Sequence, residues 1–385
     1  MNTAYSHIAQ TTKRPNLIFS QGKGSWLVDQ RGKRYLDFVQ AWAVNCLGHC
    51  PPELNHVIAQ QTSQLWNCGP AYYNQPQIEL ANTLVKHTGL DEVFFVSTGA
   101  EANEGAIKLA RKWGKLHRGG AYKIVTMEGG FHGRTLATMS ATGKSSFEPL
   151  FNPKVEGFVK VPFNDIDACR QVIDESVVAV MLEPIQGEAG VIPAQQNYLQ
   201  ALRTLCEEEG ILLIFDEVQT GIGRTGALFA SDHYSIKPDI MTLGKGLGGG
   251  VPLGAVINRR EISCFETGDQ GSTFSGNALM TAVGKAVVDI VADGDFLSGV
   301  RTKGHNLTRG LEAIFGEGRV RGAGLLLALD LPTSNAKDWV LQALDKGLLI
   351  NAPNDTCLRF MPALNVSDEE IDRLLVILGE IKKSM

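Results

Sequence analysis

The chain has 385 residues, 44% of them hydrophobic and 20% charged, with a net charge of −5 at pH 7. That length buries a large core and favours two domains over one. The slight acidity gives no general pull toward nucleic acid or an anionic membrane, and seven cysteines scattered along the chain do not make a disulfide framework.

Met1–Asn16 is polar and lacks the apolar stretch of a signal peptide. No apolar run approaches the roughly 20 residues of a membrane span, so a reducing cytoplasm is the expected compartment. Ser25–Asp29 and Arg34–Phe38 read as a hairpin turned by Asp29-Gln-Arg-Gly32. Ala41–Asn45 and a loop from Gly48 to Pro52 follow. Cys46 and Cys50 flank His49 there, but no second ligand pair accompanies them and no metal is expected. Apolar residues at helical spacing mark helices over Glu53–Trp66 and Ile78–Thr88, separated by a turn-rich stretch holding Tyr72 and Tyr73.

From Glu92 the pattern alternates. Val93–Val96, Lys123–Met127, Val177–Leu182, Ile211–Phe215 and Asp239–Gly244 read as strands, with helices over Glu101–His117 and Tyr198–Glu209. This alternation predicts an α/β fold whose mainly parallel sheet is flanked by helices. Asn277–Ala292 and Phe296–Phe315 read as helices, Gly324–Asp330 and Leu358–Met361 as strands, Asp338–Lys346 and Ser367–Lys383 as helices. The expected division is a large domain over 50–289 and a smaller α+β domain built from 1–49 and 290–385.

The chemistry concentrates between Ile211 and Gly250. One apolar strand delivers Asp216 at its carboxyl end and the next delivers Lys245 into a glycine-rich turn. A lysine amine that can bind an aldehyde, near a carboxylate that can keep a pyridine nitrogen protonated, is the pair a pyridoxal phosphate enzyme needs. Val218 and Gln219 follow Asp216 closely enough to reach the same ring. Ser97-Thr-Gly-Ala-Glu-Ala-Asn103 links a strand to a helix, where small residues and free N–H groups make a phosphate cradle. Phe131 could stack on a ring, and Arg134 offers a bidentate clamp for a carboxylate. Glu183 and Glu188 bracket a strand-end loop, and such a carboxylate could hold an arginine, most plausibly Arg359. Gly271–Gly276 offers further hydroxyl donors. Gly221-Ile-Gly-Arg-Thr-Gly226 matches a dinucleotide fingerprint, but it does not sit directly between a strand and a helix.

Together these residues resemble the class III (ornithine-type) pyridoxal phosphate aminotransferases of fold type I, and most closely the acetylornithine branch. The most specific pieces are Phe215-Asp-Glu-Val-Gln-Thr-Gly and Asp239-Ile-Met-Thr-Leu-Gly-Lys245. They are joined by Leu47-Gly-His-Cys50, Phe131-His-Gly-Arg134, Glu183-Pro-Ile-Gln-Gly-Glu188, Gly347-Leu-Leu-Ile-Asn-Ala352 and Leu358-Arg-Phe-Met361. The resemblance implies Lys245 as the Schiff-base lysine and proton shuttle, Asp216 at the pyridine nitrogen and Gln219 at the ring hydroxyl. It places Phe131 and Val218 on the two ring faces, and Gly99 and Ala100 at the phosphate with Thr273 of the partner subunit. It implies Arg134 at the α-carboxylate of acetylornithine with Ser272 nearby, and Arg359 at 2-oxoglutarate with Glu188 as its gate. An obligate homodimer follows. The phosphate turn departs from the family's frequent Gly-Thr, having Gly99-Ala100. Rival readings are an aminomutase or decarboxylase using the same cofactor, a nicotinamide-dependent dehydrogenase argued from Gly221–Gly226, and a non-catalytic homologue.

Overall fold

The computed structural model describes residues 7–385. A seven-stranded sheet forms its centre, in the order Glu92–Val96, Gly254–Asn258, Ile240–Leu243, Leu212–Asp216, Val177–Leu182, Lys123–Met127, Phe158–Val161. The last five run parallel, whereas Gly254–Asn258 is antiparallel to both of its neighbours. The central parallel strand Val177–Leu182 is apolar along its whole length because both of its faces are covered. Helix Gly99–His117 buries Ala102, Ala106 and Ala110 against one face. Helix Gln196–Glu209 buries Leu199, Leu202 and Leu205 against the other.

Two smaller sheets lie outside this core. Phe19–Lys23, Trp26–Asp29 and Arg34–Asp37 form an antiparallel run, and Leu348–Leu349 adds a parallel edge to it. Val320–Ala323, Leu326–Asp330, Cys357–Phe360 and Asn351–Asn354 make a four-stranded antiparallel sheet. The chain ends are also tied by Glu370, which completes a capping box with Ser367 on helix Asp368–Ser384. Its carboxylate accepts from Ser25 Oγ at 2.7 Å and Trp26 Nε1 at 2.8 Å. On these joins we propose the parcelling of 50–289 against 1–49 with 290–385. No helix of the described residues is long and apolar enough to cross a membrane.

The long elements lie where their periodicity puts them, with several differences. The helix expected over Glu53–Trp66 ends at Thr62, leaving Trp66 exposed. The strand expected over Gly324–Asp330 is one arm of a hairpin whose other arm is Val320–Ala323. Gly254–Asn258, Phe158–Val161, Leu136–Ala141 and Ile166–Val172 are elements too short to display a period. Gln40–Ala43 is a left-handed turn with φ from 47° to 68°, and it contains no glycine to signal that backbone.

Candidate active site

The parallel strands Leu212–Asp216 and Ile240–Leu243 set Asp216 opposite Thr242, so their carboxyl ends lie side by side. Past the second strand the chain turns through Gly244 into the tight turn Lys245–Gly248. Lys245 itself holds a φ of 42°. A non-glycine residue pays about 1–3 kcal/mol for such backbone, and such positions gather at functional sites. Asp216 and Lys245 share a cavity of about 260 Å³ with Gly99, Ala100, Phe131, Arg134, Val218 and Gln219. With Glu183, nine of the residues singled out from the sequence therefore converge on one hollow.

Asp216 is buried and held by three donors. Its Oδ2 accepts from Asn103 Nδ2 at 2.7 Å and pairs with His132 Nδ1 at 2.8 Å, while Oδ1 accepts from the Val218 N–H at 3.0 Å. Thr242 Oγ1 donates to Asn103 Oδ1 at 2.7 Å, which fixes the amide so that its NH₂ faces Asp216. Burial works against a charged His132, but the bond to Asp216 and its charge outweigh that and raise the imidazole above its ordinary range. Burial pushes the Lys245 ammonium down, against the pull of Asp216, Glu183 and Glu188. A sheltered lysine of lowered basicity keeps more of its amine neutral, and so available as a nucleophile and proton acceptor.

Glu183 also lines the cavity. It does not hold an arginine. It accepts instead from the Phe131 N–H at 2.8 Å and the Gly187 N–H at 3.3 Å. Burial, then the charge of Asp216, pushes it up to about 7.

Gly99 opens the helix Gly99–His117 behind the cap Thr98, whose hydroxyl accepts from the Glu101 N–H at 3.1 Å. The N–H groups of Gly99 and Ala100, first in the helix, have no intrahelical partner. A Cβ on Gly99 would lie 2.5 Å from Val218 Cγ1, so only glycine lets this backbone close on the cavity floor.

Arg359 is fully buried and sits behind Gln219 rather than on the cavity wall. Its Nη2 donates to Glu188 Oε1 at 2.7 Å, and its other donors reach Asn351 Oδ1, the Gly187 carbonyl and Gln219 Oε1. Burial alone raises the Glu188 carboxyl, but Arg359 and Lys144 overcome that and hold it at about 2. Arg134 is exposed at the cavity wall, its guanidinium 5.5 Å from the Phe147 ring centroid, with no carboxylate partner among the described residues.

Ser272 and Thr273 are not brought to this cavity by their own chain. They stand on the loop before helix Ala278–Val291, Thr273 exposed and Ser272 half-buried. Gly221–Gly226 is a connecting loop, and it carries a fully buried Arg224 whose Nη1 donates to the carbonyls of Leu325 at 3.0 Å and Pro362 at 2.6 Å. His49 is spent on Asp37 Oδ2 at 2.9 Å, and Cys46 on the Gly246 carbonyl at 3.3 Å.

The aminotransferase class-III family profile matches residues 7–381. The chain belongs to the class-III aminotransferase family. It is 54% identical over 374 residues to acetylornithine aminotransferase 2 of Bordetella pertussis, covering 96% of this chain and 94% of that one. Among solved structures it is similar to the ornithine aminotransferase of Toxoplasma gondii, with a TM-score of 0.93 at 30% identity, covering 99% of this chain and 94% of that one. It is also similar to the N-acetylornithine aminotransferase of Stenotrophomonas maltophilia, with a TM-score of 0.86 at 32% identity, covering 100% and 99%. As a class-III member it is a pyridoxal phosphate-dependent transaminase. The residues present fit that cofactor: unpartnered N–H groups at a helix start for a phosphate, a carboxylate for a ring nitrogen and a sheltered lysine for an aldehyde.

No motif in the sequence marks a role for Asn103, Thr242 or Lys144. Asn103 was the most accessible of them, since it stands four residues after Gly99 and so on the same helix face.

Proposed function

We propose that this protein moves the δ-amino group of N2-acetylornithine to 2-oxoglutarate, giving N-acetylglutamate 5-semialdehyde and glutamate, as a cytoplasmic homodimer serving arginine biosynthesis. The observation that carries this reading is a pair of arginines in opposite states. Arg134 is open at the cavity wall, and Arg359 is closed off by Glu188. A donor with one free carboxylate and a distal amine needs only Arg134, with Ser272 nearby. An acceptor with two carboxylates also needs Arg359, and it displaces Glu188 to reach it. The choice of acetylornithine is supported by relatives of that name, 54% and 51% identical to this chain in Bordetella pertussis and Ralstonia nicotianae.

Pyridoxal phosphate supplies an aldehyde that takes up the amine and a ring that withdraws electrons from the adjacent carbon. Gly99 and Ala100 would hold its phosphate through backbone N–H groups, with Thr273 of the partner subunit. Phe131 and Val218 would hold the ring, Gln219 would meet its hydroxyl, and Asp216 would keep its nitrogen protonated. Lys245 Nζ would hold the aldehyde in the resting enzyme. The same nitrogen would be the group placed to take and return the proton at the donor's δ-carbon.

A panel of acetylornithine, succinylornithine, ornithine and 4-aminobutyrate, each with 2-oxoglutarate, tests the reading by kcat/KM. Acetylornithine is expected to lead, and a higher value for any other donor overturns the assignment. Lys245→Ala is expected to lose the borohydride-fixed attachment of the cofactor, and a retained covalent adduct contradicts its role.

A further inference from the structure

Glu188 is shared between two cations. Its Oε1 accepts from Arg359 Nη2 at 2.7 Å and its Oε2 from Lys144 Nζ at 3.0 Å. The Arg359 side chain is wholly buried, while Glu188 and Lys144 retain 22% and 26% exposure. The remaining donors of Arg359 are committed. Nε and Nη2 reach Asn351 Oδ1 at 3.0 and 2.7 Å, and Nη1 reaches the Gly187 carbonyl at 2.8 Å. An incoming carboxylate can take Arg359 only by displacing Glu188.

Displacement raises a charge problem. A carboxylate pulled off a buried guanidinium and left without a partner is strongly unfavourable. Lys144 answers it, because its ammonium already grips the other oxygen. It stands just before the turn Ser145–Phe147, with its Nζ 5.6 Å from the ring centroid of Phe131, a cavity-lining residue. Lys144 thus joins the cavity wall to the carboxylate that covers Arg359.

We propose that Lys144 is the second post of a carboxylate switch. When a dicarboxylate occupies Arg359, Glu188 stays paired with Lys144, and Lys144 thereby sets the affinity for dicarboxylates without touching the reacting atoms. In the closed state Glu188 has both cations, and in the open state Lys144 alone. Loss of Lys144 therefore penalises the open state more. This inference rests on Arg359 being the acceptor-carboxylate residue, as proposed above. Lys144 is a positioning residue, and its signature is a split between the two half-reactions.

The test uses the pyridoxal phosphate-loaded enzyme with glutarate as an unreactive dicarboxylate and valerate as a monocarboxylate control, both titrated calorimetrically. In Lys144→Gln the glutarate Kd and the 2-oxoglutarate KM are expected to rise about tenfold, the range of a partly sheltered ion pair. Valerate affinity, saturated kcat and acetylornithine kcat/KM stay at the wild-type level, and Lys144→Arg restores glutarate binding. Unchanged or tighter glutarate binding in Lys144→Gln overturns the proposal, as does an equal fall in both half-reactions. Arg359→Met separates the two ideas. If it leaves glutarate affinity unchanged, the Arg359 reading itself fails and the switch falls with it. If it weakens glutarate while Lys144→Gln does not, only the role of Lys144 is lost.

Discussion

Asp216 owes its direction to a relay of neighbours. Thr242 orients Asn103, and Asn103 donates to both Asp216 and the His132 carbonyl. Asn103→Leu keeps the volume and removes those donors. A hydrogen bond to a charged group contributes about 1.5–3 kcal/mol, which corresponds to roughly 10- to 100-fold in a rate that depends on it. The acetylornithine half-reaction is expected to slow by that factor in stopped-flow absorbance, and wild-type rates contradict the relay. Asp216 and Lys245 were legible in the sequence because each ends an apolar strand. The relay was not, because its members are three-dimensional neighbours from three separate segments. Glu188 makes a second residue-scale case. Its carboxyl lies at about 2 in the fold, below its ordinary 4.5, so the stability it contributes is fully present above about 4.5 and is lost as pH falls toward 2. The shift is equivalent to about 3 kcal/mol. The unfolding free energy of wild type minus that of Glu188→Gln, from urea titrations, is expected to shrink through that window. A difference that does not change with pH removes the ion-pair account.

At the scale of elements, the start of helix Gly99–His117 must come very close to the turn that carries Lys245. A Cβ on Gly244 would lie 3.1 Å from Gly99 Cα, and one on Gly99 would lie 2.5 Å from Val218 Cγ1 and 2.9 Å from Cγ2. Helix propensity favours alanine over glycine by at most about 1 kcal/mol. Val218 is β-branched and stiff at χ1, so it cannot swing aside cheaply, and overpacking costs about 1–3 kcal/mol. The clash wins. Gly99→Ala is expected to lower the thermal midpoint and weaken cofactor affinity, both read from a pyridoxal phosphate titration followed by unfolding; an unchanged affinity would sink the cradle assignment. The same tight fit explains which elements the sequence displayed. Gly99–His117 and Gln196–Glu209 carry long apolar faces at helical spacing, and Val177–Leu182 is apolar throughout because it is covered on both sides. Gly254–Asn258 is equally buried, yet its five residues follow a glycine-rich turn that hides the start of a strand. Gln40–Ala43 shows the limit most clearly, since packing against the Lys245 turn holds a left-handed backbone that its residue types do not ask for.

At the scale of the whole molecule, we propose that the site is completed by a component its own chain does not bring. Thr273 is exposed on the same surface as a group of large apolar side chains: Trp66 at 63%, Tyr72 at 71%, Tyr73 at 88% and Phe274 at 60% exposure. Asn74 Nδ2 donates to the Gly276 carbonyl at 2.8 Å, binding the aromatic segment and the Thr273 loop into one face. A patch of this kind marks an interaction surface. In a two-fold dimer the same face is used by both copies, so each Thr273 would serve the partner's phosphate. Complementation decides it. Lys245→Ala lacks the aldehyde-binding amine, and Thr273→Asp sets a charge against the phosphate, so each homodimer is expected to be inactive. Subunits exchanged at equal concentration form half mixed dimers, each with one site made of Lys245 from one chain and Thr273 from the other. Activity is expected to return to about a quarter of wild type, the value two-fold symmetry dictates. If both residues serve the same chain's site, every site in the mixture carries one lesion and no activity returns.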